Sequence, residues 1–232
     1  MKSTNGFARL ELIAALCSMA LLGLIVLPLF AANRADSDRA GCFNNLRLVG
    51  RAVETWGMDR DGLPPWITFV SRGGTRPDGN FKAGNAWFEF TALSNELITP
   101  RILACPADAG VKVAAEFSVA GPLGYMNVSM RAQATSYFIN MDNLGQVPLM
   151  AVTGDRNMRS EGIGSCSQGV NNVDLIFLPS GNPVLWTNAV HGLQGHLLRT
   201  DGSVALMTSA AILADYPRLI DDNGNVHLLR AR

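Results

Sequence analysis

Hydrophobic positions along this chain change their spacing once, and the change divides it. Residues 12–32 make a run of 21 positions without a charged side chain, matching the ~20 apolar residues a membrane-spanning helix needs. Beyond Asn33-Arg34-Ala35-Asp36 the apolar positions thin to Phe43, Leu46, Val49, Val53 and Trp56. They step by three or four residues, which gives one stripe on an amphipathic helix. Arg47, Arg51 and Glu54 lie off that stripe, with Arg51 and Glu54 close enough to pair. Together the two regimes predict one helix from residue 7 to about residue 57, ~75 Å long at 1.5 Å per residue. Pro28 is expected to kink it, and Gly41 and Gly50 to weaken it locally. The first half is predicted to be transmembrane and the second half to pack on a globular head.

The rest of the chain predicts that head. Residues 59–65 end the helix with charges, a glycine and two prolines. A short strand is expected over 66–70, an exposed loop over 71–85 and a short helix over 86–97, stopped before Pro100. Residues 111–119, 135–140 and 148–153 predict strands, and the glycine-rich 154–172 a long loop. The clearest signal is a hairpin. Residues 196–200 and 203–207 flank Asp201-Gly202, a two-residue turn of type I′ composition. Thr208 or Ser209 caps a short helix to about Tyr216, halted at Pro217. No internal repeat and no low-complexity tract is apparent. The predicted fold class is α+β, a long N-terminal helix packed on an antiparallel sheet with minor helices and long loops.

Composition adds exclusions. Lysine plus arginine and aspartate plus glutamate both number 19, so no basic footprint for nucleic acid is present. Cys17 lies inside the apolar run, while Cys42, Cys105 and Cys166 would face an oxidising compartment after export. One disulfide with one thiol left over is expected, and spacing does not choose the pair. None of the spacings suits zinc.

At the N-terminus, Gly6-Phe7-Ala8-Arg9-Leu10-Glu11 precedes the apolar run. An ionisable group within such a run costs about 2.5–3.5 kcal/mol at mid-helix and less near an end, so Glu11 needs a partner. This stretch resembles the start of type IV prepilins and type II secretion pseudopilins. Cys42-Phe43-Asn44-Asn45-Leu46-Arg47, residues 59–65, Cys105-Pro106-Ala107-Asp108, Gly154-Asp155-Arg156-Asn157 and Thr200-Asp201-Gly202-Ser203-Val204 resemble a planctomycete and verrucomicrobial type of pseudopilin-like subfamily.

The resemblance implies a pilin-like fold, cleavage between Gly6 and Phe7 and N-methylation of Phe7. Glu11 and Pro28 then fall where the family places a glutamate and a proline. Arg9 stands where the family usually has an apolar residue. The glutamate would neutralise the N-terminal ammonium of a neighbouring subunit. Four segments follow: a leader at 1–6, a transmembrane or filament-core helix at 7–32, its amphipathic continuation at 33–58 and the head at 59–232. Implied partners are copies of itself or other pilins and pseudopilins, the prepilin peptidase and methylase, and an inner-membrane assembly platform. The implied location is the bacterial inner membrane, crossed once, with the head in the periplasm, and a periplasmic or extracellular filament after assembly. Cys42 with Cys105 is the disulfide the resemblance favours, since both lie in matching segments. A structural role without catalysis is expected. A secretory signal cleaved near Asn33, or a plain anchor tethering a polysaccharide-binding head, are the alternatives.

Candidate chemistry is sparse. His191 and His196 stand near Asp201, which admits a metal site or an acid–base pair, but no third ligand has an obvious spacing. Asp221, Asp222, Asn223 and Asn225 surround a glycine and are the calcium candidates, although such clusters are commonly turns. Some pseudopilins bind calcium in C-terminal loops. Asp59, Asp61 and Asp108 are available as carboxylates, and the first two read as turn formers. In Gly154-Asp155-Arg156-Asn157 an Asp–Arg bridge fixing a turn is the simpler reading beside anion binding. Trp56, Trp66, Trp87 and Trp186 read as core residues beside a sugar-stacking platform. No catalytic residue and no cofactor is expected.

Overall fold

In a computed structural model describing residues 9–78, 85–142, 149–160, 175–177, 184–215 and 226–230, helix α1 runs Arg9–Gly57. The chain divides into two units, Met1–Asp38 and Arg39–Arg232.

In the first unit, ten large apolar side chains of α1 between positions 12 and 30 are each 53–73 % exposed. At about 100° per residue they cover every side of the helix. Ser18 Oγ donates to the Ala14 carbonyl at 2.7 Å, which satisfies a hydroxyl inside the apolar run. The expected transmembrane helix is corrected here, and with it the single-pass inner-membrane placement that rested on it. Among the described residues no helix is long and apolar enough to cross a membrane.

In the second unit α1 buries Cys42, Leu46, Val49, Ala52 and Trp56, while Arg47, Arg51 and Glu54 are exposed. Gly41 and Gly50 mark close approaches: a Cβ there would lie 2.9 Å from Pro106 Cγ and from Leu198 Cδ1, respectively. The helix stops in a tight turn in which the Arg60 and Gly62 N–H groups both donate to the Gly57 carbonyl. Arg60 folds back over the Trp56 ring at 4.2 Å and donates to the Trp56 carbonyl.

The expected strand at 66–70 is not formed. Ile67 and Thr68 both donate to the Pro64 carbonyl, a turn that the two prolines favour. The helix expected over 86–97 is two short ones, α2 (Ala86–Thr91), capped by Asn85, and α3 (Ser94–Leu97). Residues 111–119 form no strand either. Lys112 donates to the Gln133 carbonyl and Ala115 to that of Leu123, so their backbone pairs within a loop instead of a sheet.

Among the described residues the main sheet is antiparallel and six-stranded. It contains β1 (Tyr137–Asn140), β2 (Ala151–Asp155), β4 (Leu175–Phe177), β6 (Gln194–Arg199), β7 (Val204–Thr208) and β8 (His227–Leu229) in the order β4-β8-β1-β2-β6-β7. A separate pair joins β3 (Met158–Ser160) to β5 (Val184–Trp186). Period-two alternation places β1, β2, β6 and β8 between two cores. Tyr137, Ile139, Val152, Leu198 and Leu229 share a core with the buried stripe of α1. Their neighbours Phe138, Ala151, Leu197 and Leu228 share the other with Met158, Trp186 and Ile212. Ile212 comes from α4 (Ser209–Ala214), whose cap is Thr208, the Oγ1 accepting from Ala211 N. The α+β class with an antiparallel sheet therefore agrees with the sequence pattern.

The β6–β7 hairpin forms with Leu198 opposite Val204, but its turn is not type I′, which needs positive φ at both central residues. Only Gly202 has it, at +77°. Gly202 donates to the Arg199 carbonyl and Arg199 N–H to the Ser203 carbonyl, so the connection is one residue longer, with the glycine taking the left-handed position.

Candidate functional site

Strand β2 ends on Asp155, and the pairing of Gly154 with Leu197 sets Asp155 beside the start of β6. The approach is close. A Cβ on Gly154 would lie 2.6 Å from the His196 carbonyl oxygen, so glycine at 154 lets the two strands meet there. Asp155 Oδ2 accepts the backbone N–H of His196 at 2.6 Å and stands 3.0 Å from His196 Nδ1. His191, in the loop before β6, brings Nε2 to 3.2 Å of the same oxygen. All three residues are buried.

The loop carrying His191 is shaped by its own backbone and by Asn157. Gly192 and Leu193 both have positive φ. Asn157 Nδ2 donates to the carbonyls of Thr187 and Gln194, at 2.9 and 3.0 Å, which pins the loop at both ends. Below the cluster, Cys42 and Cys105 form a disulfide with Cα atoms 4.8 Å apart, the pair the resemblance favoured. Cys105 Sγ lies 3.5 Å from His191 Nε2. Phe43 of α1 meets the His196 ring edge-on, and the two imidazoles are 4.7 Å apart at right angles.

Burial alone would push the Asp155 carboxyl up, but hydrogen bonds from His191 and His196 outweigh it and hold the carboxyl below its ordinary range. Nearby, burial first and then the Asp155 and Asp108 charges push the Tyr137 phenol well above its usual value. Arg156 does not neutralise Asp155. It forks onto Asp108, with Nε 2.8 Å from Oδ2 and Nη2 3.0 Å from Oδ1. Ser136 Oγ donates to the same carboxylate and accepts from Cys105 N–H, tying this pair to the disulfide.

The sequence-predicted candidates are thus regrouped. His191 and His196 do come together, but their carboxylate is Asp155, not Asp201. Asp201 is exposed in the hairpin turn, where Oδ1 accepts from Ser203 N and Oγ. The Asp155–Arg156 bridge is replaced by Arg156–Asp108, because consecutive residues of an extended segment point to opposite sides. Asp59 and Asp61 lie in the exposed turn after α1. Trp56, Trp66 and Trp186 are buried, and Trp87 stacks under Arg131. Cys17 is exposed. Glu11 is exposed on α1, and Pro28 lies within α1. Gly6, Phe7, Cys166 and the calcium candidates Asp221, Asp222, Asn223 and Asn225 lie outside the described residues.

One pattern went unread. His196-Leu197-Leu198-Arg199 and His227-Leu228-Leu229-Arg230 are the same four residues. His227 repeats the device, its N–H donating to Asp142 Oδ2 and its Nδ1 standing by Oδ1, both at 2.6 Å. A histidine placed before two leucines in a strand, twice, was the available signal.

Chemically the cluster can hold a cation or a proton, but a substrate has no exposed group to meet. Among the described residues, two sets of donor atoms lie within 4.8 Å of one another, Asp155 with His191 and His196, and Cys42 with Cys105 and His191; the disulfide occupies the sulfurs of the second. A cleft of ≈ 570 Å³ lined by Gly50, Glu54, Leu198 and Asp201 shares no residue with the cluster. Comparison with protein-family models, curated proteins and solved structures finds no match to this chain.

Proposed function

We propose that the chain is a structural subunit of a pilin-like filament, of the type II secretion pseudopilus or type IV pilus kind, and that it works by assembly instead of catalysis. The apolar stem supports this reading. Ten exposed apolar side chains around one helix are unstable in water. Stems of neighbouring copies packed side by side would bury them, at about 1.5–3 kcal/mol for each large side chain fully covered. Glu11 would then face the ammonium of a neighbouring Phe7 once the leader is removed, so that neither charge is stranded.

The disulfide between Cys42 and Cys105 favours a head working in the periplasm or outside the cell. Self or other pilins, the processing peptidase and methylase, and the assembly platform are the proposed partners. Burial of Trp56, Trp66 and Trp186 weighs against a sugar-stacking platform, and burial of both cluster histidines weighs against a hydrolase.

Two measurements test this. The N-terminal peptide from native cells should start at N-methylated Phe7. Glu11→Ala should keep a folded head and lose incorporation into filaments. An intact Met1 terminus, or filaments built normally from the variant, would sink the reading.

A further inference from the structure

Asp142 and Asp155 meet the same four-residue strand motif, yet they are satisfied differently. At Asp142 the backbone N–H of His227 takes one carboxylate oxygen and the ring the other. At Asp155 the His196 N–H and both imidazoles converge on Oδ2, and Oδ1, fully buried, has no hydrogen-bond partner among the described residues. His191 Nδ1 is likewise buried without one. An unpaired buried carboxylate oxygen is costly, and among the described residues no arginine or lysine bridges to Asp155, since Arg156 is committed to Asp108.

A divalent cation held by both oxygens of the Asp155 carboxylate would give Oδ1 the partner it lacks and, with the two ring nitrogens, would have four donor atoms. Ligand atoms on a tetrahedral zinc, each about 2.0–2.2 Å from the metal, stand about 3.4 Å from one another. The ring nitrogens lie 3.0 and 3.2 Å from Asp155 Oδ2. Two imidazoles and a carboxylate suit zinc-class ions and not calcium, which takes six to eight oxygens. We propose that His191 Nε2, His196 Nδ1 and the Asp155 carboxylate form a buried structural site for one zinc-class divalent cation, clamping the His191 loop to the β2–β6 pair. On loading, each ring would bind as neutral imidazole, its proton held on the nitrogen away from the metal and any second proton released to solvent, so that the metal replaces the N–H donors now crowded on Oδ2. The backbone N–H of His196 would stay on that oxygen. The inference is independent of filament assembly.

The test uses the full chain in detergent with Cys17 and Cys166 replaced by serine and the Cys42–Cys105 disulfide kept oxidised, so that no free thiolate binds metal. After loading with zinc and dialysis, one equivalent per chain should remain, and cobalt should give the intense visible bands of a four-coordinate nitrogen–oxygen site. His196→Gln and Asp155→Asn should each weaken retention by more than about 100-fold, beyond the loss expected from an outer hydrogen-bond partner. Asp142→Asn should leave retention unchanged. Should the two cluster variants fail to fold, the cobalt spectrum of the chain with its cluster intact decides, because a pale octahedral oxygen spectrum contradicts the site. Zinc lost on dialysis of the folded chain, or retained equally by His196→Gln, would overturn the proposal.

Discussion

Cys105 Sγ lies 3.5 Å from His191 Nε2, so the bridge that ties α1 to the head is also a wall of the histidine cluster. Its partner Cys42 is fully buried on the apolar stripe of α1.

Loss of this bridge should destabilise the head strongly. Its cysteines are 63 residues apart, and the chain-entropy relation gives about 4 kcal/mol for a loop of that length. Cys42→Ser with Cys105→Ser should lower the urea midpoint accordingly, as should a reductant acting on the unaltered chain. A midpoint unmoved by either treatment would mean that α1 is held by apolar packing alone.

Glu89 should make the head less stable as pH rises. It is 2 % exposed, and burial pushes its carboxyl up to about 7 despite the hydrogen bond donated by Thr75. Below pH 4.5 the group is protonated whether the chain is folded or not, and it contributes no penalty. Between 4.5 and about 7 the unfolded chain releases the proton while the folded one keeps it, so stability falls, by about 3 kcal/mol in all. Glu89→Gln should flatten stability across that window. If unaltered chain and variant run parallel from pH 4 to 8, Glu89 ionises as an exposed carboxylate does.

Local periodicity carried much of the architecture, and pairing across distance carried the rest. The three-and-four spacing of Leu46, Val49 and Trp56, and alternation in the β6–β7 hairpin, are patterns a sequence displays directly. Asp155 is different. It lies 36 and 41 residues from its two histidines, and only the pairing of β2 with β6 brings them together. Asp201 is near His196 in sequence and so drew attention that belonged to Asp155. Strands expected at 66–70 and 111–119 failed because their residues favour strands while turn bonds satisfy their backbone first. The transmembrane expectation rested on composition over 12–32, and the helix described in the structure does not support it.

Gly195 should resist even the smallest side chain. A Cβ there would lie 2.3 Å from Cζ3 of the buried Trp186 ring, a rigid neighbour in the second core. Gly195→Ala should cost about 1–3 kcal/mol, as overpacking does. With Trp186→Leu already present the added cost should fall below about 0.5 kcal/mol, a coupling read from a double-mutant cycle. Equal costs in the two backgrounds would place the strain in the backbone of β6.

Asp155 and Asp201 offer the sharpest contrast, because each neighbours a histidine, one in space and the other in sequence. Asp155→Ala strands two buried imidazoles and the His196 N–H, and breaking a buried pair in this way costs about 3–5 kcal/mol. Asp201→Ala removes an exposed turn contact to Ser203, a change expected to stay within about 1 kcal/mol. Both should be measured by denaturant unfolding with a chelator present, so that metal affinity does not enter the comparison. Near-equal losses would mean that the cluster is held by its apolar surroundings, with Phe43 and the disulfide fixing His191 and His196 whatever carboxylate they face.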